Sequence, residues 1–270
     1  MRQYRLIYDK PTNGKYNMAI DEAIMVTVAA GESLPTLRFY DWDPPCLSLG
    51  YNQTCSDVDT ENIAALGWDV VRRPTGGKAI LHTDELTYSL TVPLDHPLAK
   101  GSVVESYRQI SRGFMDALLK LGMNPHSDQQ QSASKLAGPV CFEVPSHYEI
   151  TTSDGRKLIG SAQLRRKGVL LQHGSLPLHG DVTRICDVLI YPDDQIRQAA
   201  KIRVDERAAT LATALGKIVT WREATDAVMQ GFIETFDCQF EEAPLSVREI
   251  EHAEELVADK YGNDEWTFRS

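Results

Sequence analysis

The sequence predicts an α+β fold: one mixed β-sheet with helices packed against it and a helical C-terminal part. Three observations carry that prediction. Glu85 to Val92 alternates as "ELTYSLTV", the period of a strand. Val104 to Leu121 sets Val104, Tyr107, Ile110, Phe114, Ala117, Leu118 and Leu121 along one helical stripe. Strand-like runs mixed with helices fill the first two thirds, whereas the last third turns helical.

Taken in order, Gln3 to Tyr8 reads as an opening strand. Asn17 to Ala29 suits a helix, with Met18, Ile20, Ala23, Ile24 and Val28 on roughly one side. The short apolar runs Leu37 to Tyr40 and Cys46 to Leu49 are separated by the turn-forming "DWDPP". Asp57 to Leu66 predicts a helix stopped by Gly67, and Trp68 to Arg72 a strand. Gly122 ends the long helix. Ser127 to Gly138, "SDQQQSASKLAG", is polar enough to predict a mobile loop. Lys157 to Gln163 and Val169 to Leu178 resemble a strand hairpin. Pro192 to Ala214, rich in alanine, arginine and aspartate, reads as helical, and "TWRE" at Thr220 and "SVRE" at Ser246 are capping boxes that each open a helix. No internal repeat breaks the chain. One domain over 1–270 is expected, with a sheet-rich core over 1–190 and a helical part over 191–270.

Composition narrows the function classes. A chain of 270 residues buries an ample core, and 42% hydrophobic with 24% charged residues is ordinary for a globular protein. No apolar run approaches the ~20 residues of a membrane helix. The opening "MRQYRLIYDK" has no apolar signal core, so a cytoplasmic location and no membrane role are expected. Five cysteines without a CxxC pair suggest neither a zinc site nor a disulfide framework. A formal charge of −10 counts against nucleic acid as a partner. Any anionic partner must then meet a local basic patch, either Arg72 with Arg73 or the run Arg165, Arg166, Lys167. Such runs also read as plain solvated surface.

Two stretches carry chemistry. In "VVRRPTGGKAILHTDELTYSL" (Val70 to Leu90), Thr75-Gly76-Gly77 follows a strand and precedes an apolar run. Adjacent glycines admit left-handed angles and the approach of a ligand, and their exposed N–H groups can hold a carbonyl or phosphate. Arg72 and Arg73 alternate, so one should face the cleft and the other away. The same residues also describe a simple hairpin turn. His82 reads either as a packed structural histidine or as a pocket residue. In "CFEVPSHYEITTSDGRKLIGSAQ" (Cys141 to Gln163), Cys141 sits where a loop meets a candidate strand, and Lys157 follows in "DGRKLIG". A nearby ammonium favours thiolate and so raises nucleophilicity at neutral pH. Without that proximity, Cys141 reads as a buried inert thiol. Gly160 to Gln163, "GSAQ", and His173-Gly174 in "LLQHGSLPL" leave room for a ligand or allow close packing.

Together the segments are more specific. "NMAIDEA", "RFYDWDPPCLSLGYNQ", "RRPTGGKAILHTDELTYS", "GRKLIGSAQ" and "LLQHGSLPL" occur in that order between Asn17 and Leu178. The set resembles the lipoate–protein ligase and octanoyltransferase family, strongly to about Leu178 and more weakly beyond. The resemblance implies a biotin/lipoate ligase-like catalytic domain. It also implies that Arg72, Thr75, Gly76, Gly77 and His82 line an acyl site. Gly160, Ser161 and Ala162 flank the tunnel, His173 and Gly174 form its later strand, and Lys157 is the family's essential lysine. Within the family, "VCFEVPS" resembles the cysteine-bearing motif of the octanoyltransferase branch. Lys78 stands where ligases more often have glycine, and the chain to Ser270 leaves little room for an accessory ligase domain. The resemblance therefore implies transfer of octanoyl from octanoyl–acyl carrier protein, through Cys141, to the target lysine of a lipoyl domain. The glycine-cleavage H protein and a dehydrogenase E2 subunit are such acceptors. No cofactor and no metal are required. An ATP-dependent ligase, an amidotransferase between lipoyl domains and an inactive acyl-binding protein are the alternatives.

Overall fold

The computed structural model describes residues 1–128 and 149–269. Among them, eight strands form one sheet in the order β11-β1-β2-β6-β10-β9-β8-β7. In chain order these are β1 (Arg2–Tyr8), β2 (Thr36–Tyr40), β6 (Glu85–Pro93), β7 (His126–Asp128), β8 (Glu149–Thr151), β9 (Lys157–Arg166), β10 (Val169–Pro177) and β11 (Cys238–Glu242). β1 runs parallel to both β2 and β11, and the remaining pairs are antiparallel, so the sheet is mixed as expected. A second sheet holds β3 (Cys46–Leu49) between β4 (Asp69–Arg72) and β5 (Ile80–His82).

The alternation of β6 gives the large sheet two unlike faces. Leu86, Tyr88, Leu90 and Val92 join Leu37, Phe39, Leu170 and Leu176 in an apolar layer. Against it pack α3 (Val103–Lys120) and α6 (Trp221–Phe236), which supply Ile110, Phe114, Leu118 and Phe232. Glu85, Thr87, Ser89 and Thr91 point the other way, and all four are buried. That polar face is covered by α1 (Gly14–Ala29), whose Met18, Ile24 and Val28 pack on Ile7, Tyr40 and Leu171. The Asn13 side chain accepts from Tyr16 N and caps α1, so the helix starts before the apolar stripe does.

Most predicted elements stand within a few residues of their sequence positions. The predicted helix after Asp57 is the shorter α2 (Thr60–Ala65), capped by Asp59. Two expectations are corrected. The helical run from Pro192 is two helices, α4 (Asp194–Arg207) and α5 (Leu211–Leu215). Between them the chain turns so that Ala209 N donates to Lys157 O (2.9 Å) and the Thr210 capping box opens α5. Helices dominate the last third as expected, with one strand among them. Between α6 and α7 (Val247–Leu256), β11 returns to the sheet as an edge strand beside β1. Ser127 and Asp128, placed in a loop by their polarity, belong to β7; the rest of that predicted loop, and Cys141, lie outside the described residues. Among the described residues, no helix is long and apolar enough to cross a membrane.

Candidate active site

The two sheets and α1 enclose a cavity of about 320 Å³, counted to its open mouth. α1 supplies Met18, and the small sheet supplies Ser48, Ile80 and His82. The large sheet supplies Tyr40, Thr87, Gly160, Ala162, His173, Gly174 and Ser175; Trp42 and Arg73 complete the wall. An apolar lining with a few convergent polar groups is the usual character of a small-molecule site.

Two buried carboxylates organise its polar wall. Asp21 projects from α1, fully buried, and accepts from Arg38 Nη1 (2.9 Å), Ser89 Oγ (2.7 Å), Tyr40 OH (3.1 Å) and His173 Nδ1 (3.2 Å). Burial pushes its carboxyl up, but the His173 hydrogen bond and the Arg38 charge outweigh that and hold it below the usual range. The His173 ring is pushed down by burial, with Asp21 pulling the other way. Its Nε2 lies 2.6 Å from Thr75 Oγ1. Glu85 repeats the arrangement: it accepts from His82 Nδ1 (2.7 Å), while His82 Nε2 lies 2.7 Å from Ser48 Oγ. Glu85 also accepts from the Thr87 and Ser175 hydroxyls. Trp42 stacks on His82 at 4.0 Å and donates to Thr87 Oγ1 (2.7 Å). A ring pinned at both nitrogens and along one face has little freedom to turn.

Above this wall lies the loop that follows β4. Arg73 Nη1 donates to Ser48 O (2.9 Å) and Ser48 Oγ (3.1 Å), and its Nη2 donates to Gly76 O (3.0 Å) and Lys78 O (2.6 Å). Gly77 takes φ 98°, a backbone state that favours glycine. A Cβ on Gly50 would stand 1.9 Å from Gly77 O. Gly50→Ala is therefore expected to push the loop off the cavity and to cost about 1–3 kcal/mol, read from urea unfolding at equilibrium.

The chain covering this site has close relatives. Residues 13–233 match the family described as the lipoyl protein ligase A/B catalytic domain. The chain belongs to that family. It is 42% identical over 275 residues, all of both chains, to "Octanoyltransferase LipM" of Kyrpidia tusciae. It is 39% identical over 270 residues, again all of both, to the protein of that name from Carboxydothermus hydrogenoformans. Among solved structures, it resembles a bipartite lipoate protein ligase from Thermoplasma acidophilum, described with its E2 lipoyl domain. There the TM-score is 0.83 and the identity 26%, over 99% of this chain and 97% of that one.

Against the family expectation, the structure brings His82, Gly160, Ala162, His173 and Gly174 together on the cavity wall. Thr75 reaches it through His173, and Gly76 and Gly77 form the exposed loop above. Arg72 and Ser161 do not line it. Strand alternation turns Arg72 away from the cavity, where, fully buried, it donates to Gly50 O (2.7 Å), Gln53 O (2.6 Å), Thr267 O (3.0 Å) and Arg269 O (3.1 Å); Arg73 takes the cavity side. Arg72 thus ties the loop base to the C-terminal segment, where Trp266 Nε1 returns a bond to Arg72 O (2.9 Å). Ser161 points to the opposite face of β9, 2.7 Å from Tyr88 OH. The expected basic face also shrinks. Arg165 is engaged by Gly101 O (2.7 Å), Ser102 O (3.2 Å) and Ser106 Oγ (2.8 Å) at the start of α3, which leaves Arg166 and Lys167 exposed in the β9–β10 turn. Sequence reasoning missed Asp21, Glu85, Ser48 and Trp42, and left open which of Arg72 and Arg73 faces the cavity. For Asp21 a signal existed: an acid three residues after Met18 and three before Ile24 lies within the apolar stripe.

Proposed function

We propose that the chain moves an octanoyl group in two acyl-transfer steps, thioester to thioester from octanoyl–acyl carrier protein to Cys141 and thioester to amide from Cys141 to the target lysine of a lipoyl-domain protein. The chain is an octanoyltransferase; the observation that carries this is 42% identity over its whole length to a protein of that name. In the first step the Cys141 thiolate attacks the thioester carbonyl, and the phosphopantetheine sulfur leaves as a thiolate. In the second the lysine amine attacks the acyl-cysteine, giving an amide and restoring the thiol. Exchange of one thioester for another is nearly thermoneutral, so orientation and support of the oxyanion matter more than an energy source.

Several features support Cys141 and Lys157 in these roles. Cys46 and Cys238 are buried, and burial pushes the Cys46 thiol well up and that of Cys238 up to about 11, poor values for a nucleophile. Cys55 Sγ is held at Phe268 O (3.2 Å), and among the described residues no cysteine lines the cavity. Lys157 is 4% exposed at the start of β9, on the strand that contributes Gly160 and Ala162 to the cavity. β8, the first described strand after Cys141, pairs Thr151 with Lys157.

The test is intact-mass analysis after mixing the chain with octanoyl–acyl carrier protein in the absence of ATP. A hydroxylamine-labile octanoyl adduct is expected in the wild type and absent from Cys141→Ala. Adding glycine-cleavage H protein, then a dehydrogenase lipoyl domain, should discharge the adduct onto lysine. Transfer that needs ATP and survives Cys141→Ala would replace this reading with that of a ligase.

A further inference from the structure

We infer that Asp21 is a positioning residue for octanoyl transfer, acting through His173 and Thr75 to hold the Thr75-Gly76-Gly77 loop over the acyl cavity. The inference rests on the octanoyltransferase reading but not on the position of Cys141.

The direction of the hydrogen bonds carries the argument. An ionised carboxylate offers no proton, so the 3.2 Å contact between Asp21 Oδ2 and His173 Nδ1 requires the ring proton at Nδ1. His173 is buried and its ring resists a second proton, so Nε2 is an acceptor. The hydroxyl of Thr75, 2.6 Å away, must therefore donate to it. Its other groups are anchored as well: Thr75 O accepts from Tyr51 N (2.8 Å). The loop thus carries one fixed point on each side, a backbone bond to Tyr51 and a side-chain bond to His173. Beyond them Arg73 holds Gly76 O and Lys78 O. The charged and titratable groups around the ring are Asp21 from α1, Arg73 from the loop and His82 from β5.

Asp21→Asn reverses this chain of donors. The carboxylate oxygen facing Arg38 Nη1 and Ser89 Oγ cannot become an amide nitrogen, because a guanidinium accepts nothing. The new NH2 must then occupy the Oδ2 position, facing Tyr40 OH and His173 Nδ1. Tyr40 can turn its hydroxyl to accept. His173 can accept only by moving its proton to Nε2, and the Thr75 hydroxyl must then turn from donor to acceptor. The side-chain anchor of the loop is kept with its direction reversed, and the charged partner behind the ring is gone.

The experiment compares wild type with Asp21→Asn, Thr75→Val and Thr75→Ser in octanoyl transfer from octanoyl–acyl carrier protein, with urea unfolding as a check on folding. The 15N imidazole spectrum reports the His173 tautomer. The expected results are an Nδ1–H ring in the wild type and an Nε2–H ring in Asp21→Asn. Thr75→Val, which keeps shape and loses the hydroxyl, should lower kcat about tenfold, the worth of one hydrogen bond. Its KM for the donor should hold and Thr75→Ser should match the wild type. Asp21→Asn weakens the same anchor without removing it and should lower kcat by no more than Thr75→Val does. A folded Thr75→Val with wild-type kcat, a loss carried by KM alone, or an Nε2–H ring in the wild type would overturn the inference. Absence of transfer by the wild type itself would instead overturn the functional reading, and the tautomer assignment would still be tested.

Discussion

Lys157→Met is expected to slow octanoyl transfer about a thousandfold while leaving the protein folded. Two effects multiply. In the proposed mechanism the Lys157 cation favours the Cys141 thiolate, so its loss would return the thiol pKa toward the free value near 8.5 and cost about tenfold in thiolate at neutral pH. In the same mechanism the ammonium donates to the developing oxyanion, and loss of such a donor would cost about a further 10²–10³. Methionine keeps the length and volume of the side chain and removes the ammonium with its charge and donors, so the buried start of β9 is not left hollow. The backbone tie between Lys157 O and Ala209 N is untouched by the substitution. Single-turnover transfer at pH 7 and pH 9 separates the two effects. Higher pH restores the thiolate, so the deficit should shrink about tenfold and no more. Full rescue at pH 9 would reduce the lysine to a thiol activator, and wild-type rates at both pH values would remove it from the reaction.

The sequence made the strands of the large sheet legible because its two faces differ in period and composition, yet the same alternation misleads about the site. Thr87, Ser89 and Thr91 occupy the positions that a half-exposed antiparallel strand gives to solvent. Here they are 1–2% exposed, because α1 crosses that face and brings Asp21 onto Ser89. A polar row on a strand thus has two meanings, and local pattern does not separate them; the long-range partners Asp21, His173 and Ser175 decide. The choice between Arg72 and Arg73 is of the same kind. Alternation says that one faces inward, and only the packing of residues 266–269 against β4 shows that it is Arg73. β11 was invisible for another reason. "CQFEE" has two acids and little β-branching, and it extends only because β1 offers an open edge. The capping boxes at Thr220 and Ser246 were fully legible, since a cap is a contact between residues three apart.

Arg38→Met should lower stability by about 3–5 kcal/mol at neutral pH, the cost of leaving a buried charge without its partner. Arg38 is fully buried on β2 and bonds Asp9 (2.9 Å), Asp21 (2.9 Å) and Asn17 Oδ1 (2.8 Å), with its guanidinium 3.9 Å over the Tyr40 ring. Asp9 is partly exposed and can turn to water, but Asp21 is enclosed and cannot. The pH dependence identifies Asp21 as the group responsible. In the wild type its folded pKa lies below the unfolded value near 3.9, so its stabilising contribution is full above that value. The contribution is lost as pH falls through the folded pKa. Without the Arg38 charge the carboxyl moves up from its wild-type position. The folded variant then takes up its proton at a higher pH than the folded wild type, so acidification costs its native state less. The gap between the two proteins in urea unfolding should therefore be widest at pH 7.5 and narrow by pH 4.5. A gap below about 1 kcal/mol at pH 7.5 would mean that the variant fold hydrates Asp21. A gap independent of pH would mean that Arg38 acts by packing over Tyr40 and not by charge.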